Sequence, residues 1–457
     1  MTTNIKQPLP TRVFPFTWFF LKKHPGFILV SILTSIIWSA EISISPYLLK
    51  IIIDGVNNNA NTPMLLWSAI SIPVIIYASI SLIMNITFRI WGYAGLRLFP
   101  ELREKAVSAI YFYLCQHSYR YFQEHFSGTL AHKLGDISNG IEHVIQIPNT
   151  VFIPRMLAVF FAVGMLMLVQ PIFAAVLLIW LIIFVSTTII YAKYTEEAAL
   201  DFSESTTQFG GQMNDGITNI ITTKIFANEK FEYQRILKGL HNITAKDRKM
   251  QWRMQISHFI QGIMVFFLMV AMLYFLIQQR LLGNVTVGDF AFVLSLSVMF
   301  TFQIWDLGQQ FVNFTKERSR CQQALNVLLL PHEIPDKKHA KAIPIEHGLI
   351  EFRAVKFNYK SDRGLFDGLS VTIQPGEKVG LVGYSGGGKS SFIRLIMRLY
   401  EVEGGQILID GHKIEAFTKE NLRAQIAMIP QEPEMFHRTI LENICYGRLN
   451  ATEAEVI

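Results

Sequence analysis

Charge is what this sequence has least of. Only 17% of its 457 residues are Asp, Glu, Lys or Arg, while 51% are hydrophobic; soluble domains carry about a quarter charged residues. The shortage is concentrated in residues 26–310, where long stretches hold no charged side chain. One large soluble core is thereby excluded, and bilayer-crossing segments are indicated. Cysteine is scarce as well. Cys115, Cys321 and Cys445 are odd in number, far apart and without metal-ligand spacing, which excludes a disulfide framework and a zinc site. Residues 1–23 lack a short apolar core followed by small residues, so no cleavable signal peptide is expected. No repeat, low-complexity tract or basic helix interleaved with aromatics is visible, so no nucleic-acid partner is expected.

What is present instead is a series of apolar runs. Six are near the roughly 20 residues that a hydrocarbon core demands: about 26–51, 63–91, 151–169, 171–191, 256–276 and 287–309. Thr11 to Lys23, with its aromatics and flanking lysines, reads as an interfacial segment. Short polar loops join spans one to two, three to four and five to six. The connections 92–149 and 192–255 are long and charged, yet keep apolar residues at helical spacing, as in Leu96, Leu102, Ala106 and Ile110. They are expected to continue the spans as long helices beyond the membrane. Basic residues crowd the long connections, including Arg97, Arg103, Lys193, Lys230 and Arg248, whereas the short loops hold only Arg280. The positive-inside rule then places the long connections and both termini in the cytosol.

After a charged linker containing Pro331, Pro335 and Pro344, the pattern becomes strand-like and soluble. Residues 383–390 read GYSGGGKS, which fits G-x-x-x-x-G-K-[ST]. The spacing has a physical reason. Glycines let the backbone wrap a phosphate and aim N–H groups at it, and a following helix (expected at Ser390 to Leu399) adds its positive dipole end. Lys389 reaches terminal phosphates, and the Ser390 hydroxyl is suited to Mg²⁺. A strand, KVGLVG, is expected before the loop. A nucleotide and Mg²⁺ are therefore expected (ATP, by the resemblance described next), with Gly383, Tyr384, Ser385, Gly386, Gly387, Gly388, Lys389, Ser390 and Ser391 around the nucleotide.

Six spans with long cytosolic helices, followed in order by VKFNY, GYSGGGKS and IPQEPEMF, resemble a half-size ABC exporter of the type IV fold. SGTLAHKLGD and IITTKIFANEKFE in the long connections, and GNVTVGDFAF entering span six, add to the resemblance, which covers nearly the whole chain. It implies an all-α six-helix transmembrane domain (26–315) after an interfacial segment (1–25), then a linker (316–347) and an incomplete α/β P-loop nucleotide-binding domain (348–457). It implies that Tyr359 stacks on adenine, that Gln431 contacts Mg²⁺ and senses the membrane domain, and that coupling helices lie near 118–125 and 211–216. It further implies ATP-driven export of a hydrophobic or amphipathic substrate as half of a homo- or heterodimer, in a multi-pass protein of a bacterial inner membrane. Gly387 and Ser391 depart from the family's usual Ser and Thr but keep the backbone donors.

The sequence ends at Ile457, before the family's signature loop, second acidic motif and switch histidine. A C-terminally truncated chain without a complete catalytic set is therefore expected, with Val379–Val382 and Ile407–Ile409 exposed. The alternative is a transport-inactive product that at most binds ATP or pairs with an intact subunit. Glu41 and Asp306 stand out as carboxylates within the spans, where charge is costly and faces a cavity or a partner.

Overall fold

A computed structural model describes residues 8–359, 364–384, 386–431 and 435–457. Ten α-helices come first: α1 (Val13–Leu21), α2 (Pro25–Asn58), α3 (Pro63–Cys115), α4 (Tyr119–Glu124), α5 (Ser127–Ile147), α6 (Ile153–Val169), α7 (Pro171–Thr218), α8 (Ile220–Ile225), α9 (Glu229–Leu281) and α10 (Val287–Leu328). Six helical stretches are long and apolar enough to cross a membrane: 25–58, 64–115, 127–169, 171–218, 229–281 and 287–328. At about 1.5 Å per residue, those of 42 to 53 residues exceed a hydrocarbon core of about 30 Å, so they extend beyond it.

The chain divides into two units. The first holds residues up to Ile110 and Lys133–Leu328; the second holds Tyr111–His132 and Leu329–Ile457. In the first, Ile42, Ala158, Phe173, Trp180, Leu268 and Phe292 belong to one buried core. Prolines shape its packing. A π-helical turn, Pro148–Phe152, joins α5 to α6, and Pro148 and Pro154 lack the N–H that would satisfy a carbonyl one turn back. In lipid an unsatisfied carbonyl is costly, and serines of α2 donate to two carbonyls of this stretch. Ser35 Oγ donates to Asn149 O at 3.1 Å, and Ser39 Oγ donates to Pro154 O at 2.8 Å. At the other end of α2, Asp54 accepts from Gly288 N (2.8 Å) and from Thr286 Oγ1 (2.7 Å). Lys50 pairs with the buried Asp289 at 2.6 Å. The segment 283–292 is thereby tied to the first long helix.

In the second unit, β1 (Ile350–Phe357), β2 (Phe366–Ile373), β3 (Gly404–Ile409) and β4 (His412–Lys413) form one sheet in the order β2-β1-β3-β4. Every pairing is antiparallel. Helices α11 (Lys389–Ile396), α12 (Lys419–Ala424), α13 (Ile440–Cys445) and α14 (Glu453–Val456) complete it. Phe352 of β1 stacks on Phe392 of α11, centroids 4.3 Å apart. Asp410, just past β3, accepts backbone N–H bonds from Glu346, His347 and Leu349 at 2.8–2.9 Å. Burial works against its charge, but the backbone donors outweigh it and hold the carboxyl down at about 2. The linker is thus pinned to the sheet.

Three expectations are corrected. KVGLVG forms no strand: a strand exists through its neighbours' hydrogen bonds, and no described strand pairs with residues 378–383. Val379, Leu381 and Val382 are indeed exposed, but Ile407, Leu408 and Ile409 are 0–5% exposed. β3 pairs with β1 and turns its isoleucines into the core with Phe417 and Leu395. Residues 211–216 lie inside α7; the short separate helix is α8, set off by a break at Asn219 and by Ala227 at φ +51°.

Candidate functional site

The glycine loop precedes α11, and its backbone explains its composition. Gly386 and Gly388 sit at φ +84° and +88°, where a side chain is strained. A Cβ on Gly388 would also meet Phe366 Cζ at 2.9 Å. Gly388 caps α11, whose first N–H groups have no carbonyl partner within the helix and face the loop. Gly387 N donates to Tyr384 O at 3.0 Å, closing the turn. Lys389 curls back over it: Nζ donates to Gly383 O at 2.7 Å and to Tyr384 O at 2.9 Å. Ser385 lies outside the described residues. The set fits a phosphate: open backbone donors, a helix dipole and one ammonium held over the same loop.

Tyr359 lies two residues past β1 and is about one-third exposed. Its hydroxyl and Ser391 Oγ are 2.8 Å apart, so β1's end and the start of α11 are joined. Its ring meets Phe357 and Tyr400 edge-on at 4.8 and 5.1 Å. The Ser390 side chain is exposed, and so is Gln431, in the irregular stretch after α12. No hydrogen bond among the described residues joins Gln431 to the loop, and no described His, Cys, Asp and Glu cluster suits a metal. Among the described residues a hydrogen bond joins Tyr359 to Ser391, whereas none joins Ser390 to Gln431.

Sequence reasoning missed the surroundings of Tyr359. Arg394, one turn along α11, lies near Tyr359, whose hydroxyl favours its charge, and over the Tyr119 ring at 5.3 Å. Tyr119 belongs to α4, whose first turn is capped by Ser118 accepting from Tyr121 N at 3.2 Å. Tyr400 Oη donates to Gln123 of α4 at 2.5 Å, and Ser118 Oγ donates to Glu333 at 2.7 Å. Burial pushes the phenols of Tyr121 and Tyr400 up to about 12, so both stay protonated and can donate. The helix that interrupts the membrane-crossing pattern therefore packs beside the tyrosine at the end of β1. Among the span carboxylates, Asp306 pairs with Arg155 of α6, and Glu41 accepts from Ser45 Oγ at 3.1 Å.

Residues 28–304 match the family described as ABC transporter transmembrane region, and residues 366–457 match the family described as ABC transporter. An uncharacterized ABC transporter ATP-binding protein of Haemophilus influenzae is 26% identical over 348 residues, covering 74% of this chain and 55% of that protein. The mitochondrial iron-sulfur clusters transporter ATM1 of Debaryomyces hansenii is 33% identical over 246 residues, covering 53% of this chain and 35% of that protein. The chain thus spans about a third to a half of the length of these relatives. The solved structure of a bacterial Atm1-family ABC exporter with ATP bound superposes with a TM-score of 0.80 at 21% identity, covering 94% of this chain and 76% of the other.

Proposed function

This chain belongs to the ABC transporter transmembrane-region family, matched over residues 28–304, and from that premise we propose that it is one half of an ATP-driven exporter. It works with a second half-transporter subunit, identical or related, on a hydrophobic or amphipathic substrate. The observation that carries this reading is the glycine loop with Lys389 folded over it, in one chain with six candidate spans. Lys389 and the loop's backbone donors hold the nucleotide's phosphates, Ser390 and Gln431 serve Mg²⁺, and Tyr359 offers its ring to the base. ATP supplies the preference for one arrangement of the paired subunits, which is what shifts access across the membrane. The 35 Phe and 16 Met residues suit adaptable apolar contacts with cargo as well as with lipid.

Everted membrane vesicles carrying the chain, extended by the rest of a related ATP-binding domain, together with its second subunit should accumulate a fluorescent lipophilic dye when Mg-ATP is added, and not with ADP. Labelling by ATP without any ATP-dependent dye movement would favour the alternative, a chain that holds nucleotide but does not transport.

The distribution of basic residues supports cytosolic termini and cytosolic long connections, and the likeness to a bacterial exporter supports a bacterial inner membrane. Reporter fusions at Asn58 and Asn284 are expected to read outside, and one at Lys230 to read cytosol. A cytosolic signal at Asn58 refutes the orientation.

A further inference from the structure

Beside the interfacial helix lies a cleft of about 700 Å³, lined by Arg12, Phe14, Arg318, Ser319, Gln323 and Asn326 among others. Gln322 staples the start of helix α1 to α10 there. Gln322 of α10 accepts from Val13 N at 3.1 Å and donates to Thr11 O at 2.8 Å. The staple fixes the residue between them, Arg12, over the face of α10 that carries Arg318. Both arginines are exposed, and no ion pair is recorded for either among the described residues. Arg320, by contrast, pairs with Glu317, and Gln322 is used up by Thr11, Val13 and Asn326. The cleft therefore presents two uncompensated guanidinium groups, with Ser319, Gln323 and the Asn326 amide as further donors and no carboxylate in its lining.

Its surroundings are those of a headgroup layer. Helix α1 buries Val13, Phe16 and Phe20 against the bundle and exposes Phe14 and Trp18 at 52% and 54%. Rings on that outer face suit the zone between water and hydrocarbon. On α10 the apolar surface persists through the exposed Phe311 and Val312 to Phe314, which meets Phe14 at 6.3 Å. Arg318 follows one turn later, about 6 Å along the axis. That matches the few ångströms of headgroup that flank a hydrocarbon core. A ligand here has its charged end among the arginines and its apolar end along Phe14 and Phe311.

We propose that this cleft binds the headgroup phosphate of an anionic glycerophospholipid, so that the junction of α1 and α10 is a lipid site. The proposal rests on the membrane reading above and names the class of lipid. Guanidinium groups pair with phosphate oxygens in a bidentate, planar fashion. The shared chemistry is a phosphate anion; the adjoining aromatic face selects the lipid over free phosphate.

The test uses the full chain in detergent, with bound lipid counted by native mass spectrometry. Phosphatidylglycerol should be retained about thirtyfold better than phosphatidylcholine, as expected for two basic contacts at a membrane surface. Arg12→Gln with Arg318→Gln should reduce the preference to within about twofold. Lys22→Gln with Lys23→Gln, outside the cleft, should leave it in place. Millimolar inorganic phosphate should not displace the lipid. Equal retention of the two lipids, or an undiminished preference in the arginine variant, overturns the proposal; displacement by inorganic phosphate makes the cleft a simple anion site and overturns it too. Labelling of the glycine loop by an ATP analogue, measured on the same samples, reports separately on the exporter reading.

Discussion

Lys389→Ala should reduce photolabelling of the chain by an azido-ATP analogue at least tenfold. Among the described residues, the lysine's ammonium is the cation seen over the glycine loop, 2.7 and 2.9 Å from two loop carbonyls. Those carbonyls hold it in place, and a phosphate offers it stronger, ionised acceptors. A hydrogen bond to a charged group contributes about 1.5–3 kcal/mol, and each 1.4 kcal/mol is a factor of ten in affinity. The loop should survive the change, because its shape rests on Gly386, Gly388 and the bond from Gly387 N to Tyr384 O. Tyr359→Phe separates the two parts of the site: it keeps a ring for the base while cutting the 2.8 Å link to Ser391. Its labelling should stay within about threefold of wild type, whereas Tyr359→Ala loses a stacking surface of about 1–3 kcal/mol. Equal labelling of wild type and Lys389→Ala would mean that the nucleotide is held elsewhere.

Arg398→Ala should lower the unfolding midpoint of the second unit by roughly 6 °C, followed by intrinsic fluorescence or limited proteolysis of the full chain in detergent. That corresponds to about 2 kcal/mol for a unit of this size. The Arg398 side chain is 1% exposed, with Glu401 at 2.9 Å and Asp336 at 3.7 Å. It also donates to Pro335 O at 3.3 Å, joining the end of the α11 segment to the linker. Breaking a buried pair costs about 3–5 kcal/mol. The lower figure applies because both carboxylates are over a third exposed and can be rehydrated. Lys419 and Arg423 also lie close, and burial, together with their like-charged neighbours, disfavours their charge; losing Arg398 relieves part of that. An unchanged midpoint would show that the linker's other bonds, among them those of Asp410, Lys419, Asn421 and Gln425, hold it without Arg398.

The parts of this molecule that were legible in its sequence are those whose cause is local. An apolar run of twenty residues must be a helix in lipid, and GYSGGGKS needs positive φ at Gly386 and Gly388 whatever surrounds it. What escaped depends on residues far apart in the chain. Tyr400 and Gln123 are separated by 277 positions, and no periodicity in either neighbourhood announces the bond. The alternation in KVGLVG reads as a strand, but the hydrogen bonds that define one come from a neighbour that the described residues do not provide. Ile407–Ile409 went the other way, because β1, 50-odd residues earlier, covers what the local pattern left open.

The second unit is discontinuous in the gene. Tyr111–His132 is part of it although Lys133–Leu328 separates it from Leu329, so the polypeptide crosses from one unit to the other three times. A fragment starting at Leu329 would lack Gln123 for Tyr400, Ser118 for Glu333 and the Tyr113 hydroxyl for Leu330 O. A protease nick just before Leu329, conversely, would leave the downstream piece fastened to 113–123 by those same bonds. Dissection of this protein by recombinant fragments therefore requires a graft, with residues 111–132 supplied in cis or as a peptide, rather than a single cut.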